Sequence, residues 1–256
     1  MRASIYCIFS LILCAALGCS SSDPSQRAGS NEHAQSLIDQ GLYNEAINSL
    51  SEKVSQSPED IEARVTLASA LAGRAGISVL SFVPFAQTLV QGEEVRKALD
   101  LNELELFSWQ IDYVFGAINA LPDLTSSEQA EDIRRAIEVL DVFGLSTGAF
   151  LYRATLKLVI FKYNIMNSYR FEVNSSCHVR PSDLMTWFEN VGGDLDNIML
   201  DIGLSASTLE QMTKIQAAQQ DIVRVNQRLQ QVIRNNLDRP LVNMPRFFNK
   251  LYTGCA

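Results

Sequence analysis

Three aspartates, Asp194, Asp196 and Asp201, come closest to a chemical site in this chain. Carboxylate oxygens suit Ca²⁺, but the run lacks the central glycine and the terminal glutamate of a calcium-binding loop. Glu103 and Glu105 are also close in sequence, yet residues two apart on a helix point in different directions. The spacing of the two glutamates favours a solvated helix face, and we predict no metal site at the aspartates.

Other catalytic patterns are missing from the sequence. It contains no Gly-x-Ser-x-Gly elbow, phosphate-binding loop, dinucleotide fingerprint or His-Glu-x-x-His helix. His33 and His178 are its only histidines, so the commonest general base is scarce. We therefore expect a protein that is not an enzyme and has no catalytic residue. Clustered buried carboxylates would reopen the enzyme hypothesis.

The first 18 residues have the parts of a secretory signal. Arg2 supplies a positive charge, and the apolar run that follows, Ile5 to Leu17, is too short at about 13 residues to span a bilayer. The next motif, Ala16-Leu17-Gly18-Cys19, resembles the lipobox of bacterial lipoprotein precursors. Two positions depart from it, since leucine usually stands at the place of Ala16 and a small residue at that of Leu17. The alternative is an ordinary signal peptide that is cut elsewhere.

The resemblance to lipoproteins implies cleavage before Cys19 and attachment of lipid, palmitate included, to that cysteine. In that family a serine directly after the cysteine, here Ser20, is compatible with transport to the outer membrane. We therefore expect a lipid-anchored outer-membrane protein that faces the periplasm, with no cofactor besides the covalent lipid. The corresponding division is a signal peptide over 1–18, a flexible tether over 19–30 and one domain over 31–256.

The charge balance excludes one class of partner. The chain has 21 Lys and Arg against 29 Asp and Glu, a net charge of −8, and the loss of Arg2 with the leader makes it −9. An acidic surface is not attracted to nucleic acid or to anionic lipid head groups. We expect no nucleic-acid partner and a membrane contact made through the lipid.

Cysteine usage agrees with an oxidising compartment. Of the five cysteines, Cys7 and Cys14 lie in the leader and Cys19 takes the lipid, which leaves Cys177 and Cys255. An even pair in an exported chain predicts a disulfide, and closing a loop of that length stabilises by roughly 4.5 kcal/mol. Two free thiols, or a metal site that includes His178, are the alternatives.

Residues 31–75 resemble a tetratricopeptide repeat followed by the first helix of a second one. The residues that carry the resemblance follow its order of small, large, turn and aromatic positions: Ala34, Leu37, Gly41, Tyr43, Ala46, Ile47, Leu50, Pro58, Ala63, Leu67, Ala68 and Leu71. Gly41 can adopt the left-handed conformation that ends a helix, and Pro58 is expected to stop the second helix and start the third. Lys53 departs from the pattern, which usually has alanine there. The resemblance implies an all-α fold in which helical hairpins continue into an elongated helical bundle.

The run from Ala75 to Val90 contains sixteen residues and no charge. One interpretation is a buried connection, bent at Pro84, which packs into the groove of the repeats. The other is an exposed apolar loop that contacts lipid or a partner, because large exposed apolar patches mark binding sites. Val79, Phe82 and Phe85 form the candidate binding surface.

Helical periodicity continues beyond this run as far as Asn236. Helices are predicted over Asn102–Leu121, Ser126–Gly144, Leu145–Met166, Ser182–Leu200 and Ser205–Asn236. A capping box is expected at the second of these, from Ser126 with Gln129 or from Thr125 with Glu128. The third is a core helix whose basic residues, Arg153, Lys157 and Lys162, are expected to snorkel to the surface. Gly192-Gly193 is expected to bend or split the fourth, and only Arg170 to Val173 has a strand-like pattern.

Two functional classes lead. The first is a scaffold or assembly factor, similar to pilotin-like lipoproteins, whose helical repeats grip a segment of another envelope protein. The alternative is a ligand-binding accessory lipoprotein of a solute transporter, which would hold a small hydrophobic ligand in a closed apolar pocket near Phe82 and Phe85.

Replacing the lipidation site gives the first prediction. Cys19→Ala protein is expected in the soluble fraction of lysed cells, because the variant lacks the acyl chains that would anchor it stably in the membrane. Fractionation and labelling with a radioactive fatty acid measure this. Unchanged membrane association of the variant would show that the lipobox assignment is wrong or that another contact dominates.

The pairing of Cys177 with Cys255 is the second prediction. Mature protein alkylated without reductant should gain no mass at either cysteine, and reduction should expose both to the reagent. Alkylation of both thiols in the unreduced, folded protein would contradict a disulfide.

Overall fold

The computed structural model describes residues 28–85, 87–88, 116–142, 144–169 and 178–207, then 211–213, 215–216, 219–220, 223, 227, 230–231, 234–235 and 242–243. Its complete helices are α1 Ala28–Asp39, α2 Tyr43–Gln56, α3 Ile61–Arg74, α4 Ser127–Val139, α5 Thr147–Tyr163 and α6 Pro181–Leu204. The fold is all-α, as the sequence predicts. The strands in these ranges, β1 His178–Val179 and β2 Val242–Asn243, pair antiparallel. Arg170 to Val173 lies outside the described residues.

The first three helices are joined by tight turns. Gly41 has a φ of +76°, and the Leu42 N–H donates to the Leu37 carbonyl at 2.8 Å while the Gly41 N–H donates to that of Ile38. These bonds form a Schellman motif, in which glycine avoids the steric cost of the left-handed backbone. The prediction for Gly41 is confirmed.

Helix α1 begins at Ala28, inside the last residues assigned to the tether.

Pro58 does not start the third helix. Helix α2 ends at Gln56 and α3 begins at Ile61, so Pro58 lies in the turn between them. The N-cap is Asp60, whose carboxylate accepts from the Ala63 N–H at 3.0 Å. An aspartate at this position satisfies a backbone donor that the helix leaves free, which proline cannot do.

The unexpected lysine in the repeat-like region links three helices. Lys53 Nζ donates to Asn31 Oδ1 of α1 at 2.7 Å and lies 3.4 Å from Asp60 Oδ2 at the start of α3. An alanine at position 53 could make neither contact. The apolar side chains that α1, α2 and α3 direct toward one another form the first hydrophobic core, where Ala34, Ala46, Leu50 and Leu71 are buried.

Helix α4 is the antiparallel partner of α3. Near the start of α3, Arg64 Nη1 donates to the Val139 carbonyl at the end of α4, at 2.9 Å. At the end of α3, Arg74 Nε donates to Asp132 Oδ2 at 2.8 Å. Helix α4 begins in a capping box made by Ser126 and Gln129. The alternative pairing of Thr125 with Glu128 is wrong, since Thr125 also binds the Gln129 amide oxygen.

Helices α5 and α6 are also antiparallel, and buried charge joins them. Arg153 of α5 donates to both carboxylate oxygens of Asp201 in α6, at 2.9 and 2.6 Å. Lys157 lies 2.8 Å from the same carboxylate. A third donor of Arg153 binds the Leu140 carbonyl, where α4 ends. The pair therefore connects α4, α5 and α6.

The expectation that the basic residues of α5 snorkel is wrong for two of the three. The side chains of Arg153 and Lys162 are only 8 % and 6 % exposed. Lys162 Nζ donates to the Asn119 and Leu121 carbonyls at 2.8 and 2.6 Å. It thereby satisfies backbone acceptors at the end of a helical segment over residues 116–119.

Helix α6 is continuous through Gly192-Gly193, so the glycine pair does not split it. Pro181 occupies its first turn, where a missing N–H costs nothing. Its apolar face forms a second core with the end of α5 and the π-helical turn Asn164–Ser168, and the largest buried members of that core are Phe161, Ile165, Leu184, Trp187 and Phe188.

The remaining predicted helices fall partly on residues that the structure describes. Residues 116–119 are helical and that segment ends before Pro122, as predicted for Asn102–Leu121. The described positions from 211 to 234 are helical too, within the span predicted for the last helix, Ser205–Asn236. Within the described ranges, no helix has the length and apolarity needed to cross a bilayer.

Loss of the buried carboxylate gives the third prediction. Asp201→Asn should lower the free energy of unfolding by about 3–5 kcal/mol, because it removes the buried counter-ion of the Arg153 charge. Urea titration followed by circular dichroism measures this.

Asp141→Asn is the matched control. Asp141 pairs with the same guanidinium at 3.0 Å, but its side chain is 82 % exposed, so its loss should cost less than about 1 kcal/mol. Equal destabilisation by the two substitutions would show that burial does not govern this network.

Candidate binding surface

The chain leaves α3 through a second Schellman motif. Gly76 has a φ of +81°, its N–H donates to the Gly73 carbonyl, and the Ile77 N–H donates to that of Ala72, both at 2.9 Å. Ile77 is buried and packs in the first core. This residue fixes the direction in which the following residues leave the helices.

A short 3₁₀ helix, Val79–Phe82, follows. The Ser78 N–H donates to Ser81 Oγ at 3.1 Å, which closes the turn. Phe82 is half-buried and packs against the first core, while Leu80 is 77 % exposed and Val83 is 43 % exposed. We call residues 78–85 the apolar turn.

The apolar turn fits neither sequence interpretation completely. It is not a fully buried connection, because Leu80 and Val83 are in water. It is not a free loop either, because Ile77 and Phe82 hold its base in the core. Of the predicted surface residues, Val79 lies in the 3₁₀ helix with a side chain outside the described set, Phe82 faces the core, and Phe85 is half-buried.

Sequence reasoning missed Leu80 and Val83 as the exposed members of this surface. Leu80 lies in the 3₁₀ helix and Val83 is its C-cap. Residues three apart in helical backbone are neighbours on one side, whereas position 82 lies on another. The uncharged composition of the run was visible in the sequence, but which side would pack on the core was not.

A second exposed apolar pair lies on α6. Leu200 and Leu204 are 59 % and 49 % exposed and are one helical turn apart. Charged residues lie near this pair in sequence, among them Asp196 and Asp201. The apolar turn differs because it belongs to a continuous run without charge.

The three candidate metal-binding aspartates do not converge. Asp201 binds Arg153 and Lys157, Asp196 is exposed, and Asp194 Oδ2 accepts from the Tyr169 hydroxyl at 2.7 Å and from Asn164 Nδ2 at 3.3 Å. Burial, together with the acceptor Asp194, raises the pKa of Tyr169 to about 12. Among the described residues, no group of three potential ligands could hold a metal ion. Glu103 and Glu105 lie outside them.

Two clefts border the described helices, and neither resembles an enclosed apolar pocket near Phe82 and Phe85. One, of about 150 Å³, lies between α5 and α6 and is lined by Lys157, Ile160, Asp194, Asn197 and Ile198. The other, of about 440 Å³, is lined mainly by glutamines, Gln216, Gln219, Gln220 and Gln227, with Val223. Neither cleft is lined by Phe82 or Phe85, so neither is the apolar pocket that the ligand-carrier hypothesis names.

The three cysteines with proposed roles, Cys19, Cys177 and Cys255, lie outside the described residues, so lipidation and the disulfide stay predictions. Comparison with protein-family models, with curated proteins and with solved structures finds no match to this chain. The binding surface therefore rests on the geometry of the apolar turn.

Proposed function

We propose that this protein is a lipid-anchored lipoprotein of the bacterial envelope, on the outer membrane and facing the periplasm, and that it acts as a helical-repeat scaffold or assembly factor for another envelope protein. The observation that carries the proposal is the exposure of Leu80 at 77 % in a run without charge, on a base held in the core. An exposed apolar side chain that is held in one position is typical of a protein-binding site.

The order of helix packing supports a repeat scaffold. Each complete helix packs against the next, and α1 also packs against α3. Tyr152 of α5 donates from its hydroxyl to the Ala68 carbonyl of α3 at 3.5 Å, which brings α3 and α5 together. Contacts between nearest and next-nearest helices are typical of stacked hairpins, which bind proteins through extended surfaces.

The polar groups of the described helices support the same proposal. The carboxylates of Asp132, Asp194 and Asp201 are occupied by Arg74, Tyr169 and Arg153 respectively. Groups that are engaged in this way hold helices together. A protein-binding role needs no reactive group, and it uses the surface that the apolar turn provides.

The chemistry of the turn defines the partner segment. Leu80 and Val83 offer neither charge nor side-chain hydrogen bonds, so a complementary segment is apolar at its centre. Covering apolar area contributes roughly 25 cal/mol per Å², part of which offsets the entropy lost on association. A contact of this small area is weak by itself, and confinement of both proteins to one membrane surface would strengthen it.

Charges placed on the turn give the fourth prediction. A Leu80→Asp/Val83→Asp variant should lose its partner in a crosslinking pull-down from native envelopes, because binding would then bury two unpaired carboxylates. Both sites are exposed, so the thermal unfolding temperature should stay close to that of the parent.

Leu200→Asp/Leu204→Asp is the control, since it changes two exposed aliphatic residues at comparable exposure on α6. It should keep the partner. Loss of the partner in the control alone would move the binding surface to α6. A small hydrophobic molecule that copurifies, with no protein partner, would favour the ligand-carrier alternative and contradict a scaffold.

A further inference from the structure

The contact between α5 and α6 carries a polar seam with a cleft in it. At one end of the seam, Lys157 of α5 lies 2.8 Å from the Asp201 carboxylate of α6. At the other end, Asn164 Nδ2 and the Tyr169 hydroxyl donate to Asp194 Oδ2 of α6, at 3.3 and 2.7 Å. The cleft of about 150 Å³ is lined by both Lys157 and Asp194. A cation and an anion therefore border the same cavity.

The two aspartates of the seam are used differently. Both oxygens of Asp201 are engaged, because Arg153 donates to each of them and Lys157 pairs with one. Both donors to Asp194 bind a single oxygen, Oδ2, and no other residue in the described ranges contacts its Oδ1. A carboxylate can accept about four hydrogen bonds. Asp201 thus holds helices together, whereas Asp194 keeps acceptor capacity beside the cleft.

Lys157 has a donor left for the cleft as well. Its ammonium group carries three N–H donors. One serves the Asp201 carboxylate, and a second donates to the Asn197 carbonyl at 3.3 Å; the third has no acceptor in the part of the chain that the structure describes. Asn197 lies three residues from Asp194, about 4.5 Å along the helix axis. A molecule with its charges only a few bonds apart can therefore reach both groups.

The backbone at the end of α5 fixes the orientation of the Asp194 carboxylate. Asn164–Ser168 form a π-helical turn, closed by the Tyr169 N–H, which donates to the Asn164 carbonyl at 2.8 Å. This turn places both donors to Asp194 on one side of that carboxylate. Single π-helical turns are rare and are frequent at functional sites. Because the pKa of Tyr169 is raised to about 12, its hydroxyl keeps its proton at neutral pH and donates to the carboxylate.

The remaining walls of the cleft suit a short aliphatic skeleton. Ile160 and Ile198 line it together with Asn197. Ile198 is buried and Ile160 is half-buried, whereas Asn197 is exposed and leaves a path from solvent. The volume is several times the roughly 30 Å³ that a water molecule occupies in the liquid, so a small organic molecule fits.

We propose that this cleft binds a small zwitterion, a molecule of amino-acid size that carries one ammonium group and one carboxylate. The ammonium group donates to Asp194 Oδ1, and the carboxylate accepts from the third N–H of Lys157. The aliphatic part of the ligand lies against Ile160 and Ile198. A ligand that carries only one charge satisfies one wall and leaves the other to water.

This inference goes beyond the scaffold function and does not depend on it. The cleft belongs to α5 and α6, and the apolar turn follows α3. A ligand in the cleft would contact both helices that it separates, and a ligand that binds only the folded state raises the stability of that state. Binding can therefore be measured through unfolding as well as directly.

A series of amino acids tests the requirement for two charges. The purified full chain is titrated with glycine, β-alanine and 4-aminobutanoate, whose charges are progressively farther apart, and with methylammonium chloride and sodium acetate at equal ionic strength. At least one amino acid should bind saturably in isothermal titration calorimetry and raise the thermal midpoint. At a concentration of 100 Kd the rise should be about 5–10 °C, and neither single-charge ion should reproduce it.

Two substitutions on α6 locate the site. Asp194→Asn keeps an oxygen for the Tyr169 hydroxyl but removes the anion, so the Kd of the preferred amino acid should rise roughly tenfold or more. Asp196→Asn is the matched control, because Asp196 is exposed two residues away and undergoes the same change of charge. It should leave the Kd unchanged. Circular dichroism of both variants without ligand checks their fold.

Three results would overturn the proposal. They are the absence of saturable binding throughout the series, equal binding of acetate or methylammonium, and equal affinity of Asp194→Asn and its control. The comparison within the series uses the unmodified chain, so it decides the question even if Asp194→Asn unfolds. The Leu80→Asp/Val83→Asp variant should bind the amino acid like the parent, which separates this inference from the scaffold function.

Discussion

The packing of α4, α5 and α6 depends on one buried ion pair, Arg153 with Asp201. Asp201 has no exposed surface, and removing a carboxylate and a guanidinium from water costs several kcal/mol for each ion. The arrangement is stable because the two oxygens meet two guanidinium nitrogens and the Lys157 ammonium, and because the Leu140 carbonyl takes a further donor. The pair therefore sets the register of α6 against α5 and holds both to the end of α4. Helix α5 in turn contributes Val159 to the first core and Phe161 to the second.

Local physics made much of the fold predictable, and distant contacts made the rest unpredictable. The turn at Gly41 and the capping box at Ser126 depend on residues only a few positions apart, so their sequence signals were sufficient. Burial of Arg153 and Lys162 depends on partners on other elements, and long basic side chains reach water in most helices. One sequence signal was present for the ion pair, since Asp201 continues the apolar stripe of α6 through Leu184, Trp187 and Ile198. An acid at a core position indicates that a cation will face it.

The difference between local and distant contacts also explains why the exposed residues of the binding surface were not predicted. The sequence placed an uncharged run after α3, and composition alone could not assign its residues to inside or outside because nearly all of them are apolar. The assignment comes from Ile77 and Phe82, which pack on a core assembled from five helices. Pairing of α3 with α4 was equally hidden, because the residues that join them, Arg74 with Asp132 and Arg64 with Val139, are 58 and 75 positions apart in sequence.

Anchoring and recognition constrain each other in the proposed function. With lipid on Cys19, the chain reaches α1 at Ala28 after nine residues, which span at most about 30 Å when extended. The domain would then search for its partner in a thin layer at the membrane surface, where the effective concentration of another anchored protein is high. Under that condition a contact as small as Leu80 and Val83 would bind more tightly than in free solution. The reason is that confinement to the membrane has already restricted the relative positions of the two proteins, so less entropy is lost when they associate. A helical framework that keeps this turn fixed adds to the same effect, since a rigid contact loses less entropy on binding.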